Sequence, residues 1–477
     1  MRPRAACLRV ISAILRVGAV SPWRHPGLTP ERNGRSRLRF PSSPVAASLN
    51  VPSHYAEPEV MQVRSHRRQD VARALAWLAG FSAVALLVVP KGLSIFAALM
   101  LVATCVALPE AWRSARERVP RAVKGLTLAV LVVLAMSAFS AWASGANLSA
   151  LDNVSRCLLL PWCAWLAWVT RVRVSCLWYG ALAGLLVAFV LSIMETWSGA
   201  PRAGGEANPI VFANAVLVLL VVAVFARPAR TGFSMQLLLA LIVALAVVAI
   251  TLSGSRGALP GLGLVLLMLF VGGAPQHRWR RLAMVSGLFA ALFVALWTVP
   301  WLSTQFRLDQ VHADVSGYAG DQVDQPISAR MGLLTVAWGA FRSAPLAGVG
   351  VGGFAQRVDD SRYCQQAPRH FCGLEHAHND LAQWGATMGI GGIAALLLLY
   401  GAPLMIAASQ VRRLNPDVPV GAAWTAGMLV AVYLISGLTQ SMFSHALSAS
   451  AYVVIVGLLL GCALTLLPAP DRPSKRS

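Results

Sequence analysis

From Val71 to about residue 466, long apolar runs alternate with short polar breaks. A helix needs about 20 apolar residues to cross a hydrocarbon core, and the pattern predicts about twelve transmembrane helices on that basis. They fall at 71–90, 92–109, 123–143, 154–170, 174–194, 207–226, 232–252, 257–273, 282–303, 380–408, 420–438 and 443–466. Most have no polar face, which the outer helices of a soluble domain require. The expected class is an all-α polytopic membrane protein. One polar interval, 304–379, is far longer than the others. It divides the chain into a basic segment 1–70, helices over 71–303, the polar loop with short helices, helices over 380–467 and a tail 468–477.

Composition agrees with that class, because 57% of residues are hydrophobic and only 12% charged, against about 25% in soluble domains. The net charge of +21 would suggest a nucleic-acid partner in a soluble protein. Here the arginines sit at the ends of apolar runs, as cytoplasmic loops demand, and no basic face is interleaved with aromatics. Arg113, Arg116, Arg118, Arg121 and Lys124, then Arg171 with Arg173, Arg227 with Arg230, Arg278 with Arg280 and Arg281, and Arg412 with Arg413 fall in alternate loops. That alternation predicts cytoplasmic termini and places 304–379 on the opposite face, with membrane lipid as the surrounding partner. The arginine- and proline-rich segment 1–60 reads as disorder or a surface helix, and Met61 is an alternative start.

The exceptions to the charge rule carry the candidate chemistry. Arg256, in the turn Ser253–Ala258, and Arg330, heading a helix-like stretch through Trp338, lie on the face where cations are scarce. An interfacial arginine is costly unless an anion or carboxylate meets it, so an anionic ligand is expected, with headgroup snorkelling as the bland alternative. The run Gly348–Gly353 spells part of a dinucleotide fingerprint but lacks the strand–turn–helix context, and that reading is rejected. Its glycines predict a sharp turn and close backbone approach. Cys364 and Cys372, eight apart, can pair if the loop lies outside the cytoplasm, or remain two surface thiols. In Glu375-His376-Ala377-His378-Asn379-Asp380 an imidazole can act as a base beside a carboxylate. Metal ligation is disfavoured because no further ligand has a recognisable spacing. A plain helix cap at Asn379 or Asp380 is the structural alternative.

Asn208-Pro209-Ile210 opening a span, Ser255-Arg256-Gly257-Ala258 opening another, Arg330 with Trp338, Pro345-Leu346-Ala347-Gly348-Val349-Gly350, and then His376-Ala377-His378-Asn379 come in an order that resembles the O-antigen ligase and polymerase superfamily, with the ligase branch closest in pattern. The resemblance spans roughly 70–465 and is densest over 250–392. It implies an inner-membrane glycosyltransferase of the GT-C type with a large periplasmic loop. Such a protein would move a polysaccharide from undecaprenyl pyrophosphate to lipid A-core on the periplasmic face, without metal, nucleotide or other cofactor. On that resemblance His378 is the base, Arg256 and Arg330 bind pyrophosphate, and the anomeric centre inverts. Glu375, His376, Asn379, Asp380 and Asn208 would support the site, with Glu375 or Asp380 orienting the histidine. O-antigen polymerase and protein O-oligosaccharyltransferase are rival activities. A transporter of an anionic or lipid-linked solute is the rival of another class.

Overall fold

The computed structural model describes residues 57–114, 119–205, 208–229, 232–271, 326–366, 371–414 and 421–466, with isolated positions between 279 and 298. The expected span at 282–303, the first part of the 304–379 loop, most of the basic segment 1–70 and the tail 468–477 therefore lie outside the described residues.

In chain order the helices are α1 (Glu57–Ala85), α2 (Gly92–Ser114), α3 (Arg121–Ser144), α4 (Leu159–Thr170), α5 (Ser175–Trp197), α6 (Pro209–Phe225), α7 (Phe233–Ser253) and α8 (Leu259–Val271). Next come α9 (Pro326–Ser343), α10 (Phe354–Asp359), α11 (Arg362–Gln366), α12 (Asp380–Leu414), α13 (Ala422–Gly437) and α14 (Ala446–Leu464). Short turns at Leu148–Leu158, Arg256–Ala258 and Met442–Ser444 link neighbouring helices.

The expectation of about twelve spans in a GT-C-type protein is overturned. Among the described residues six helices are long and apolar enough to cross a membrane, and there is no sheet. The six are Gly92–Pro109, Arg121–Ser144, Ser175–Trp197, Phe233–Ser253, Asp380–Arg413 and Ala446–Leu464, and they make this a multi-pass membrane protein. Apolar length alone misled, because an apolar helix may face protein instead of lipid. The run at 154–170 breaks into short turns and the 12-residue α4, which at about 1.5 Å per residue is well short of a bilayer core of about 30 Å. The first run, 71–90, begins inside α1, carries Arg73, and continues five residues past the helix end at Ala85. The 17-residue α6 is buried on all sides from Val211 to Phe225, as a helix apolar all round should be.

The core is built around α6 and α14. The window of α14 that could span a membrane is 89% buried. Its close neighbour is α4, and small residues permit the approach. A Cβ at Gly457 would lie 2.5 Å from the Leu160 carbonyl oxygen, and one at Gly461 would lie 2.4 Å from that of Ala164. This G-x-x-x-G spacing lets two backbones touch without a hydrophobic driving force between helices.

Two devices hold α12 in place. At Gly389 (φ 64°, ψ −149°) the helix kinks, and its diverted backbone groups find partners in the glycine run. Val349 N donates to Ala386 O at 2.9 Å, Gly350 N to Thr387 O at 3.0 Å, and Ile390 N to Pro345 O at 2.8 Å. Ser140 Oγ of α3 also donates to Thr387 O at 2.9 Å. A broken helix is tolerated among apolar surroundings only when its freed groups are satisfied in this way. Nearer its start, Asp380 accepts from Tyr400 at 2.9 Å and from the Phe443 backbone at 3.4 Å. The rings of Tyr400, Tyr433, Phe443 and Tyr452 pack around that contact.

A second, smaller core joins α9, α10, α11 and the entry to α12. On α9 its members Leu333, Ala337 and Ala340 follow helical spacing, and Arg330 is one turn before Leu333 on the same stripe. Ala377 belongs to the same core. The stripe thus brings the Arg330 end of α9 to the segment that carries His378.

Candidate functional site

The start of α12, the end of α13, the start of α14 and the turn after α7 meet at one end of the bundle. Asn379 caps α12: its side-chain oxygen accepts from Ala382 N at 2.9 Å, and its amide donates to Leu438 O at 3.1 Å. Its backbone N–H donates to Ser441 Oγ at 3.2 Å. Gln383 reaches back to accept from Ala377 N at 2.8 Å. Across the cleft, Thr439 Oγ1 donates to Gly257 O at 3.2 Å, tying the Arg256 turn to the segment between α13 and α14. Asn153 Nδ2 fastens the far end of that segment through Ser444 O at 2.8 Å.

His378 sits in this lattice with φ 50°, a left-handed backbone that costs a non-glycine residue about 1 kcal/mol or more. Its Nδ1 is 2.5 Å from Gln440 Oε1, and Gln440 Nε2 is 2.7 Å from His445 Nε2. His445 in turn meets His376 edge to face, with ring centroids 5.3 Å apart. Three imidazoles and one amide therefore form a connected cluster.

The field at the cluster is positive. Burial lowers the pKa of His378 below the ordinary histidine range, the hydrogen bond to Gln440 opposes this, and the charges of Arg330 and His376 lower it further. Burial also lowers His376, against the raising effect of Glu375. His445 is pushed down to about 4, by burial first and then by His376 and His378. Arg330 is lowered by burial and by the charge of Arg256. No carboxylate among the described residues meets Arg330. Two guanidinium groups held near each other at a partly buried site favour an anion between or beside them. The N-terminal ends of α12 and α14 add partial positive charge.

The structure distributes the expected site residues unevenly. His376, His378, Arg256 and Arg330 come together. Glu375 is exposed and lies 3.9 Å from His376, not at His378. Asp380 is buried and committed to Tyr400 and Phe443. Neither carboxylate is placed against His378, whose Nδ1 instead faces the amide of Gln440. Asn379 is a helix cap, and Asn208 caps α6 by accepting from Ile210 N at 2.9 Å. Cys364 and Cys372 are joined as a disulfide with Cα atoms 4.8 Å apart. Tyr363 packs at a tilt against Phe371 beside it, and Asp359 accepts from Gly373 N at 2.9 Å.

Sequence reasoning missed Gln440 and His445. Gln440 lies in the short linker between the runs expected at 420–438 and 443–466, 62 residues from His378, and His445 lies just inside the second run. The only signal was a glutamine and a histidine in an otherwise apolar region, where polar groups are expensive and seek partners.

Residues 241–397 match the family model Wzy_C, described as O-Antigen ligase. The matched segment is similar to that family over less than half of the chain and contains Arg256, Arg330, both cysteines and every residue from Glu375 to Asp380. Asn208, Gln440 and His445 fall outside it. No curated protein matches the chain. The O-Antigen ligase match points to ligase or transferase activity of a helical membrane protein and is consistent with lipid-linked oligosaccharide partners in general.

Proposed function

We propose that this protein is an O-antigen ligase of a bacterial inner membrane, transferring polysaccharide from undecaprenyl pyrophosphate to lipid A-core on the periplasmic face. The observation that carries the reading is that the Arg256 turn is tied through Gly257 to Thr439, next to the Gln440 that contacts His378, while the charge of Arg330 acts on His378 and that of Arg256 on Arg330. A base and an anion-binding pair are the two parts that transfer from a pyrophosphate donor requires.

In this reading the acceptor hydroxyl gives its proton to Nε2 of His378 as its oxygen attacks the anomeric carbon. The anomeric C–O bond breaks, and the pyrophosphate leaves with the bonding pair. Arg256 and Arg330 meet the charge that develops on the leaving oxygens, a role guanidinium fills with several donors in fixed geometry. Attack opposite the leaving group inverts the centre. The arginines take the place a divalent cation would hold, so the reaction is proposed to be metal-independent. Cytoplasmic termini and a site end facing the periplasm are part of this reading.

The test is transfer by the purified protein in lipid nanodiscs, given a lipid-pyrophosphate glycan and either lipid A-core or a second lipid-linked glycan as acceptor. Product on lipid A-core that disappears with His378→Ala is expected. Product only on the second glycan would indicate a polymerase, and full transfer by His378→Ala would remove His378 from the chemistry.

A further inference from the structure

We propose that Gln440 is a positioning residue that holds the proton of His378 on Nδ1, leaves the lone pair on Nε2, and couples His378 to His445 through a single amide. The inference rests on the reading of His378 as the base and extends it to residues outside the family match.

An amide has two unlike ends: its oxygen only accepts and its nitrogen only donates. Gln440 Oε1 faces Nδ1 of His378 at 2.5 Å, so that nitrogen must carry a hydrogen. Gln440 Nε2 faces Nε2 of His445 at 2.7 Å, so that nitrogen must be bare and His445 must carry its hydrogen on Nδ1. One side chain thereby fixes two tautomers. With the opposite amide orientation Nδ1 of His378 would accept, Nε2 would carry the proton, and no lone pair would remain for a substrate hydroxyl.

The position of Gln440 between the two imidazoles is held firmly. It is 2% exposed, its backbone N–H donates to Ser436 O at 2.9 Å, and its neighbours Thr439 and Ser441 are tied to Gly257 and Asn379.

A carboxylate in the same place would hold Nδ1–H equally well but could not donate to His445. It would also change the field. The charged and titratable groups around His378 are Arg330 and His376, with His445 across the amide, Glu375 behind His376, and Arg256 beyond Arg330. Asp380 is engaged by Tyr400 and the Phe443 backbone. A neutral amide leaves that positive field uncompensated, so the imidazole stays unprotonated and ready to accept a proton near neutral pH. Many histidine bases are instead oriented by a carboxylate, which raises their basicity.

The experiment compares full-length Gln440→Glu and Gln440→Leu with the unaltered protein in nanodiscs, reading kcat/KM against pH. Gln440→Glu is expected to move the acid limb of the profile to higher pH by about one unit, because the new carboxylate stabilises imidazolium. Gln440→Leu is expected to lower kcat about 10- to 100-fold, as loss of an orienting outer partner does, with the donor KM unchanged within about twofold. Nitrogen-15 spectra of labelled histidine should show Nε2 of His378 unprotonated in the unaltered protein. An acid limb that stays in place in Gln440→Glu overturns the inference, and decides alone if Gln440→Leu does not fold. If His378→Ala is inactive while both Gln440 variants behave as the unaltered protein, the functional reading stands and this inference fails. If His378→Ala keeps full transfer, the functional reading itself fails.

Discussion

The glycine run at Gly348–Gly353 and the histidine segment at Glu375–Asp380 both attach to α12, one at its kink and the other at its start. Both also use left-handed backbone. In the run the unusual angles belong to Gly348 (φ 71°), Gly350 (φ 99°) and Gly352 (φ 88°), and in the segment to His378 (φ 50°). Glycine accepts such angles freely, and the run spends that freedom on contact: its N–H groups fill the gap in α12. A groove of about 440 Å³ lies along Val349–Gly353 and Ser144–Ala150, and no lining residue is titratable. His378 accepts a strained backbone and gains a fixed place beside Gln440 and Arg330. Left-handed backbone at glycine marks a structural joint here. Lys91 and Arg171 share this backbone at helix ends, so it is the cluster around His378, and not the angle alone, that singles that residue out.

The sharpest break of that comparison sets His378→Ala against Gly348→Ala. The first is expected to lower transfer by about 10² or more with unchanged abundance in the membrane. The second places a Cβ 2.2 Å from the Thr387 carbonyl carbon and is expected to destabilise by about 3 kcal/mol or more through overpacking and strain. Melting in detergent separates the two. An inactive but fully stable Gly348→Ala protein would move the run into the site.

A smaller effect is expected at Arg330. Arg330→Lys should raise the donor KM about tenfold, because a point charge replaces a forked donor, while kcat at saturation changes less. Arg330→Gln should in addition move the acid limb of the pH profile upward, because a positive charge that lowers His378 is gone. A KM equal to that of the unaltered protein would detach Arg330 from the donor.

Proton linkage gives a further measurement. His445 binds its proton at about 4 when folded and at about 6.5 when unfolded. The unfolded chain therefore binds more protons between those values, and stability must fall as pH drops from about 6.5 to 4. His445→Asn should flatten that slope. The smallest effect is expected for Glu375→Gln: its carboxylate is exposed and 3.9 Å from His376, and such pairs contribute less than about 1 kcal/mol. Transfer should change by less than about twofold.

How much of this could be read in the sequence follows from distance along the chain. His376, Asn379 and Asp380 adjoin His378, and Arg256 and Arg330 stood out because cations are rare where they lie. The side chain that contacts His378 could not be foreseen, since Gln440 is 62 residues away and neighbouring carboxylates were nearer at hand. Asp380 looked suited to that role, yet burial against Tyr400 turns it into a structural acceptor. The overcount of spans has a related cause. α6 and α4 are as apolar as any lipid-facing helix, and hydropathy does not distinguish a neighbour that is lipid from one that is protein.

The burial of α14 has a consequence for synthesis. It is the last described helix, it fills a slot bounded by α4, α6, α12 and α13, and His445 stands at its head. While the ribosome is still making that helix, Gln440 and His445 are already in the chain, but the helix that packs behind them is not. A chain cut short before Ala446 would keep His378, Gln440 and His445 but lack the helix against which α4, α6, α12 and α13 pack.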